Sequence, residues 1–380
     1  MFLFSIYILI NTLVQTEYKD LRIPAFFHFR FCIFAISIFF VLNFFKEKIE
    51  FKKYAIILVF SFMAFIIFDA FIQYFFGQNI FGFEIIENRI SGVFGDELIL
   101  GSFLVRTFPL LLWIIFYHKL NIKKNENLLC IFFVLYFATI YISAGRTSFL
   151  LLSISIFFII IFFKPLRKIT IVSSILLVLF ITFSSFVKIG KSDPSNRIFI
   201  KTFNQIQTKL SIQKNLQKKQ KKYNEYSITE KKTSNQFFIF TKDHTGHYIL
   251  AYHLFKKSPF FGTGPEGFKS YCRKVKYDSD IGICSTHPHN TLMQILAETG
   301  FIGFLFYAIG LLFVFIKMFQ FQNKFNHNSE IFCFLSCSIA IVINLFPFLP
   351  NGNFFNNWML IISYYYIGLY LFEYNNLSRE

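Results

Sequence analysis

Two histidines separated by one residue are the side chains in this sequence best suited to chemistry near neutral pH. His287 and His289 stand in the run HPHN, with Asn290 directly after the second imidazole. A neutral imidazole can accept a proton from a substrate hydroxyl, and a neighbouring amide can orient the ring or the substrate. His-x-His is also a common fragment of zinc sites, with Asp278 and Asp280 near in sequence, and loop histidines can be purely structural. Proton transfer is the first prediction, with the other two interpretations left open.

The histidines lie at the end of a long polar segment in a chain that is otherwise strongly apolar. Of its 380 residues, 55% are hydrophobic and 60 are Phe. Several apolar runs are long enough to span a bilayer, and they are continuous rather than alternating, which favours helices over barrel strands. We predict an all-α polytopic integral membrane protein with about ten transmembrane helices. The apolar runs lie near 2–16, 26–45, 54–72, 98–117, 127–144, 147–163, 169–187, 300–316, 331–347 and 357–372.

The short loops between these runs predict the orientation. Alternate short loops (46–53, 118–126, 164–168 and 317–330) hold 12 Lys and Arg residues, whereas the intervening ones hold four. Basic short loops stay in the cytoplasm. Both termini are therefore predicted to be cytoplasmic. The chain divides into about seven N-terminal helices in 1–187, a large periplasmic loop in 188–299, and about three helices in 300–380.

The positive charge is concentrated in the long loop. The chain has a formal net charge of +17, and residues 188–242 hold 13 Lys and Arg against 3 Asp and Glu. A Lys-rich segment with few apolar residues is typically solvated, and it can attract anionic lipid headgroups or a lipid diphosphate. No nucleic-acid-binding motif accompanies it, so nucleic acid is not an expected partner.

The six cysteines fall into two groups. Cys32, Cys130, Cys333 and Cys337 lie in apolar runs, where a thiol behaves as a small hydrophobic side chain. The other two, Cys272 and Cys284, lie in the polar loop. An oxidising compartment favours a disulfide between them, which would hold the backbone just before the His pair. Two free thiols are the alternative.

Charged residues near the apolar runs are the remaining candidates. Arg106 lies inside one run, and Arg146 lies in the tight turn of ISAGRTSFLLL between two others. An arginine in a membrane is costly and marks a functional site or a buried partner, unless it snorkels to the interface. The glycine-rich loop 73–97 adds Arg89, Asp96 and Glu97, and is expected to have its own structure on the outer side.

Four segments, in this order, resemble the O-antigen ligase and O-antigen polymerase family. They are RISGVFGDELILGSFLVRTFPLLL (89–112), SAGRTSFLLL (143–152), KKSPFFGTGPEGF (256–268) and HPHNTLMQILAETGFIG (287–303). The last is the most specific, being similar to the family's His-x-His-Asn…Glu-x-Gly signature. The resemblance implies a bacterial inner-membrane enzyme whose site faces the periplasm and which takes a glycan from an undecaprenyl-diphosphate carrier.

The resemblance also implies the chemistry, an inverting glycosyl transfer that uses no metal ion and no other cofactor. His289 or His287 would be the base, with Asn290 assisting. The partners would be the lipid-linked donor, a glycan or lipid A core acceptor, and the bilayer. Polymerase, ligase and protein oligosaccharyltransferase share these motifs. The alternative from another class is a transporter or flippase of the same lipid-linked glycans.

Cations must then stabilise the leaving diphosphate. Arg146 is the first candidate, Arg197 the second and Arg89 the third, because a guanidinium can bind phosphate oxygens in pairs. Many family members carry a further Arg about a dozen residues before the KKSPFFGTGPEGF segment. Here that region is DHTGHYILAYHLF, so His247 or Arg197 would replace it. The acidic residues Glu298, Asp96 and Glu97 are supporting candidates, with Glu298 expected to hold a basic partner.

Overall fold

The computed structural model describes residues 2–14, 28–45, 49–205, 207, 242–274, 284–324 and 328–379. Within these ranges the fold is all-α, and β structure is limited to isolated bridges. The helices are α1 (Phe2–Val14), α2 (Phe29–Phe45), α3 (Ile49–Phe76), α4 (Leu100–Tyr117), α5 (Glu126–Ile142), α6 (Arg146–Phe162), α7 (Arg167–Val187), α8 (Lys242–Lys257), α9 (Gly267–Lys274), α10 (Thr291–Lys324), α11 (Ser329–Asn344) and α12 (Asn357–Ser378).

The described part of each predicted apolar run falls on a helix. Four described segments are long and apolar enough to cross a membrane: Ile56–Phe76, Leu100–Tyr117, Lys164–Val187 and Thr291–Gln322. The helices α1, α2, α5, α6 and α11 are apolar but shorter. The described residues therefore form an all-α fold with membrane-length apolar helices, whereas the number of crossings and the periplasmic loop stay predictions.

Helices α4 and α11 pack against each other at the centre of the molecule. In α4, 72% of the apolar window is buried, against 33% or less in the other three long segments. All residues of α11 from Ile331 onward are buried. A helix that is apolar and buried on every side belongs to the interior of a bundle. The first turns of α4 are therefore held rigidly, which matters because the cleft described below begins there.

The loop 73–97 is ordered by two polar side chains of α3. Gln73 Oε1 accepts hydrogen bonds from the backbone N–H groups of Ser91 (3.0 Å) and Gly92 (2.7 Å). Asp69, also buried, accepts from the backbone N–H of Ile80 at 3.0 Å and from Asn79 at 3.2 Å. Buried polar groups in a membrane protein must find such partners, and here they fix the loop that carries Arg89.

Helix α10 is kinked at Gly300, whose φ of 64° and ψ of −167° are not helical. Residues 259–264 lie against the kink and form hydrogen bonds with the backbone groups that the kink leaves without a partner inside the helix. Thr263 N–H donates to the Ala297 carbonyl at 3.0 Å, and Phe301 N–H donates to the Pro259 carbonyl at 2.8 Å. The pair Gly262 and Gly264 therefore serves a close backbone contact, because a Cβ on Gly262 would lie 2.5 Å from the backbone of α10.

The helix α10 begins earlier than the apolar pattern suggests. The sequence places a span start at 300, whereas the helix begins at Thr291, directly after the HPHN motif. Its first turns are polar and buried, with Gln294 and Glu298 facing the protein interior. Hydropathy marks only the apolar half of such a helix, so the polar turns look like loop.

The part of 188–299 that the structure describes contains further helices. It contains α8, α9 and the short π-turn Asn196–Ile200. A small apolar cluster joins α8 to α9 and to the start of α10 through Leu250, Leu254, Phe268 and Ala297. Most of the Lys-rich stretch, residues 208–241, lies outside the described residues, and so does the segment 275–283 that contains Asp278 and Asp280.

Candidate active site

A polar cleft of about 1040 Å³ lies where the loop 73–97, the starts of α4 and α6, the HPHN motif and the loop before α12 meet. It brings together six of the sequence-predicted site residues: Arg89, Arg146, Arg197, His287, His289 and the supporting acid Glu97. Further lining side chains that carry polar or charged groups are Ser102, Arg106, Thr147, Ser148, Lys201, Gln205, Lys269, Thr286, Asn351, Asn353, Asn356 and Trp358. Among the described residues of the lining, Glu97 is the one carboxylate, so the cleft is strongly cationic and suits an anion.

Arg146 is the first residue of α6 and is positioned by the turn before it. Ala144 has a φ of 55°, and Gly145 is extended, which aims the helix start into the cleft. The guanidinium donates from Nε to the Arg197 carbonyl at 3.0 Å and from Nη1 to Gln205 Oε1 at 2.9 Å. A helix N-terminus carries partial positive charge and free N–H groups, so it adds to the attraction that Arg146 exerts on an anion.

Arg197 and Arg89 flank the same opening. Arg197 Nη1 is 3.7 Å from a carboxylate oxygen of Glu87, an exposed partner that contributes little binding energy. Arg89 Nη2 donates to the Leu98 carbonyl at 2.5 Å. Burial, and then the charge of Arg197, lower the pKa of Arg89 to about 10, so the group is still a cation at pH 7.

The two imidazoles of the HPHN motif lie against each other, with ring centroids 4.0 Å apart. His287 is buried, and its Nδ1 is 2.9 Å from Thr286 Oγ1, which fixes the ring. His289 is less buried and has a φ of 57°, a left-handed conformation that a non-glycine residue adopts at some cost. Backbone strain of this kind clusters at functional sites, and here it turns the His289 ring toward the cleft.

His247, on α8, lies behind the pair rather than in the cleft. Its ring centroid is 5.3 Å from that of His289 and 6.5 Å from that of Phe268, and the residue is buried. It is not among the residues that line the cleft. The structure thus places His247 where it can support the His289 ring, and places Arg197 within reach of an anion.

Asn290 has a structural task in this arrangement. Its Nδ2 donates to the Pro347 carbonyl at 3.0 Å, and its Oδ1 accepts from the Met293 N–H at 3.0 Å. The side chain thereby caps the first turn of α10 and ties it to the loop before α12. The hydrogen bonds described for this side chain are structural, and the expectation that the amide orients an imidazole or a sugar stays a prediction.

Glu298 does not face the cleft and has no basic partner among the described residues. It is fully buried on α10, where it accepts hydrogen bonds from Gln294 Nε2 at 3.0 Å and from the Phe268 N–H at 3.2 Å. The expected pairing with a cation is therefore replaced by polar contacts that join α10 to α9. Of the other two supporting acids, Glu97 lines the cleft and Asp96 does not.

Cys272 and Cys284 are joined in a disulfide, with Cα atoms 5.4 Å apart. It links α9 to the stretch directly before the HPHN motif. Cys32, Cys333 and Cys337 are buried and Cys130 is partly buried, none of them in a disulfide. No group of three or more metal-ligating side chains lies together in the described ranges, which leave out Asp278 and Asp280.

The sequence left one part of the site undetected and another without an assigned role. Arg106 was a candidate with no part in the predicted chemistry, and the polar run PNGNFFNNW before α12 was not weighed at all. The structure folds that run over the cleft, where Asn351, Asn353, Asn356 and Trp358 line it. Four asparagines between two apolar runs were an available signal. Amides and an indole ring are the groups that hydrogen-bond to and stack on sugars.

The fold and the cleft define a helical membrane protein with a cationic site beside a pair of imidazoles. Residues 131–308 match the family model described as O-Antigen ligase. The resemblance predicted from the motifs is thereby confirmed, and a glycan ligase or polymerase type of function is supported. Neither the curated proteins nor the solved structures gave a match.

Proposed function

We propose that this protein is a membrane glycosyltransferase that transfers or polymerises glycan from an undecaprenyl-diphosphate-linked donor at the periplasmic face of the bacterial inner membrane. One observation carries the proposal: Arg146 and Arg197, far from His289 in sequence, line the same cleft. A leaving diphosphate and an acceptor hydroxyl need these two kinds of group, a cation and a base, side by side.

The proposed reaction is a single displacement. The acceptor hydroxyl oxygen attacks the anomeric carbon of the donor sugar, and its proton passes to His289. The bond between that carbon and the diphosphate oxygen breaks, and the lipid diphosphate leaves with the electron pair. Attack opposite to the leaving group inverts the anomeric centre. Arg146, assisted by Arg197 and Arg89, stabilises the diphosphate charge, so no metal ion is required in this proposal.

The proposal assigns a task to each segment of the chain. The helices in 1–187 and 300–380 hold the lipid part of the donor, and the 188–299 segment supplies the HPHN motif and Arg197. The acceptor is another glycan chain in a polymerase or lipid A core in a ligase. The amides of Asn353 and Asn356 with the Trp358 ring are the proposed sugar contacts on the acceptor side.

The test is a reconstituted assay with undecaprenyl-diphosphate glycan and acceptor, comparing His289→Ala with His253→Ala. His253 is an exposed histidine on α8 that does not line the cleft, so it is a matched control. Loss of general-base catalysis should slow transfer by about 10²–10⁴-fold in His289→Ala only. Full activity of His289→Ala contradicts the base assignment. Loss of activity with chelator, restored by zinc, makes the histidines metal ligands instead.

Orientation needs a separate experiment. The proposed orientation places Lys222, which lies outside the described residues, in the periplasm. A reporter enzyme that functions only in the periplasm should therefore be active when it is fused after Lys222. Activity of a cytoplasm-specific reporter at this position contradicts the proposed periplasmic site. If lipid-linked glycan moves across the membrane of reconstituted vesicles and no glycosidic bond forms, the transporter alternative is favoured.

A further inference from the structure

Arg106 is a fully buried cation in the floor of the cleft, with 1% of its surface exposed. Its Nη1 donates to Ser102 Oγ at 2.5 Å, and its Nη2 donates to Asn351 Oδ1 at 2.6 Å. The guanidinium carbon lies 6.0 Å from the centroid of the Trp358 ring. All of these partners are neutral. Within the part of the chain that the structure describes, Arg106 has no carboxylate partner, and its Nε has no hydrogen-bond partner.

The other cations of the cleft each have a carboxylate partner or reach solvent. Arg197 is paired with Glu87, and Lys269 is 3.3 Å from a Glu266 oxygen. Lys201 is exposed to solvent, and Arg146 and Arg89 are only partly buried, although Arg89 Nε also lacks a hydrogen-bond partner. Solvent stabilises such groups without a ligand. A guanidinium buried at membrane depth has no such stabilisation, and leaving its charge unpaired is costly. Its position on the wall of a cleft indicates that an anion from outside the chain completes it.

Burial in the cleft indicates which anion this is. Arg106 lies six residues into α4 from Leu100, but its guanidinium turns back toward the helix start, where Nη1 is 3.1 Å from the Ser102 carbonyl oxygen, and it is enclosed in the floor of the cleft. A lipid-linked donor is ordered with its isoprenoid chain in the hydrocarbon, then the phosphates, then the sugars in water. The most buried cation of the cleft is therefore expected to meet the phosphate nearest to the lipid.

The turn that carries Arg146 packs against the start of α4. Gly101, at the start of α4, packs so tightly on this turn that a Cβ there would meet Ser143 Oγ at 2.2 Å and Ser148 Cβ at 3.1 Å. The Arg106 guanidinium bonds Ser102, the residue after Gly101, and is buried, whereas Arg146 is only partly buried. We therefore take Arg106 as the inner and Arg146 as the outer of the two cations.

We propose that Arg106 binds the lipid-proximal phosphate of the donor, while Arg146 binds the phosphate next to the sugar. This inference rests on the proposed function and assigns a separate task to each phosphate. The inner contact anchors the part of the diphosphate that keeps its bond to the lipid. The outer contact acts on the oxygen that gains charge as the glycosidic bond breaks. Arg106 would therefore govern affinity for the lipid and Arg146 would govern the chemical step.

The two phosphates can be separated with two lipids. Undecaprenyl phosphate carries only the lipid-proximal phosphate, whereas undecaprenyl diphosphate carries both. Binding of each lipid to the full chain in detergent is measured for the unchanged protein and for Arg106→Gln and Arg146→Gln. Arg106→Gln should weaken the binding of both lipids by about tenfold or more, since charge-assisted hydrogen bonds are lost. Arg146→Gln should weaken the binding of undecaprenyl diphosphate and leave the binding of undecaprenyl phosphate unchanged.

Arg167→Gln is the matched control, because Arg167 is an exposed arginine at the start of α7 that does not line the cleft. It should bind both lipids normally. Arg106→Lys keeps the charge and serves if Arg106→Gln does not fold, with the same expectation of weakened binding for both lipids. Normal binding of both lipids by the folded Arg106 variants overturns the inference. Absence of binding by the unchanged protein contradicts the proposed function itself and this inference with it.

Discussion

Asn351 is bound to His289 through its main chain, where the Asn351 N–H donates to the His289 carbonyl at 2.9 Å. The side chain of the same asparagine accepts a hydrogen bond from Arg106 at 2.6 Å and donates one to Thr291 Oγ1 at 3.0 Å. The proposed base and the most buried cation of the cleft are therefore positioned by one residue. This contact also joins the loop before α12 to the first turn of α10.

Asn351→Asp should abolish the anion site while preserving the fold. The carboxylate keeps the shape of the amide, and the Thr291 hydroxyl can turn to donate to it, but the new charge pairs with Arg106. Binding of undecaprenyl phosphate should fall by about tenfold or more, with the melting temperature maintained or raised. Asn328→Asp, at an exposed position before α11, is the control and should bind normally. Unchanged binding in Asn351→Asp contradicts a ligand role for Arg106.

Arg146→Lys should not be a conservative change. The guanidinium already donates from Nε and Nη1 to Arg197 and Gln205, and it still has donors left for a phosphate. A single ammonium cannot hold both partners and bind two phosphate oxygens. We expect a fall in kcat of about 10²-fold in the reconstituted assay, comparable to the loss of one transition-state donor. Arg167→Lys should retain full activity, and equal activity of the two variants would contradict the assignment.

Much of the fold and part of the cleft follow from the sequence, for physical reasons. Continuous apolar runs indicate helices because hydropathy is local, and costly residues such as Arg146 stand out against an apolar background. The contact between Arg106 and Asn351 spans most of the chain and leaves no local pattern. The task of Asn290 was equally hidden, since its carbonyl partners belong to a loop far along the sequence. Local patterns thus find candidate residues, whereas their partners require the tertiary structure.

Gly300→Ala should destabilise the protein through the kink in α10. The glycine has a positive φ, and a Cβ there would lie 2.4 Å from the backbone of Phe260. Backbone strain alone costs about 1–3 kcal/mol, and the clash with fixed backbone adds to it. The expected result is a lower melting temperature and loss of transfer activity, because the kink seats residues 259–264 next to Glu298.

The same helix supplies the control for this change. Gly310 lies in α10 with nothing within 4 Å of the position where a Cβ would be added. Gly310→Ala should therefore leave the melting temperature unchanged or raise it slightly, since Ala favours helix more than Gly does. Equal melting temperatures for Gly300→Ala and Gly310→Ala would show that the kink is not a constraint on the fold.

The last prediction concerns the bond between Cys272 and Cys284. The two residues are separated by 12 positions, and closing a loop of this size stabilises a protein by about 2–3 kcal/mol. The loop leads directly into the HPHN motif, so its loss should disturb the histidines more than the helices. In Cys272→Ser/Cys284→Ser we expect transfer to fall strongly, and the melting temperature to fall to the value that reductant produces in the unchanged protein. Cys130→Ser removes a free thiol elsewhere and should change neither quantity. A double variant with full activity and an unchanged melting temperature would mean that the contacts of α8, α9 and α10 alone hold the motif in place.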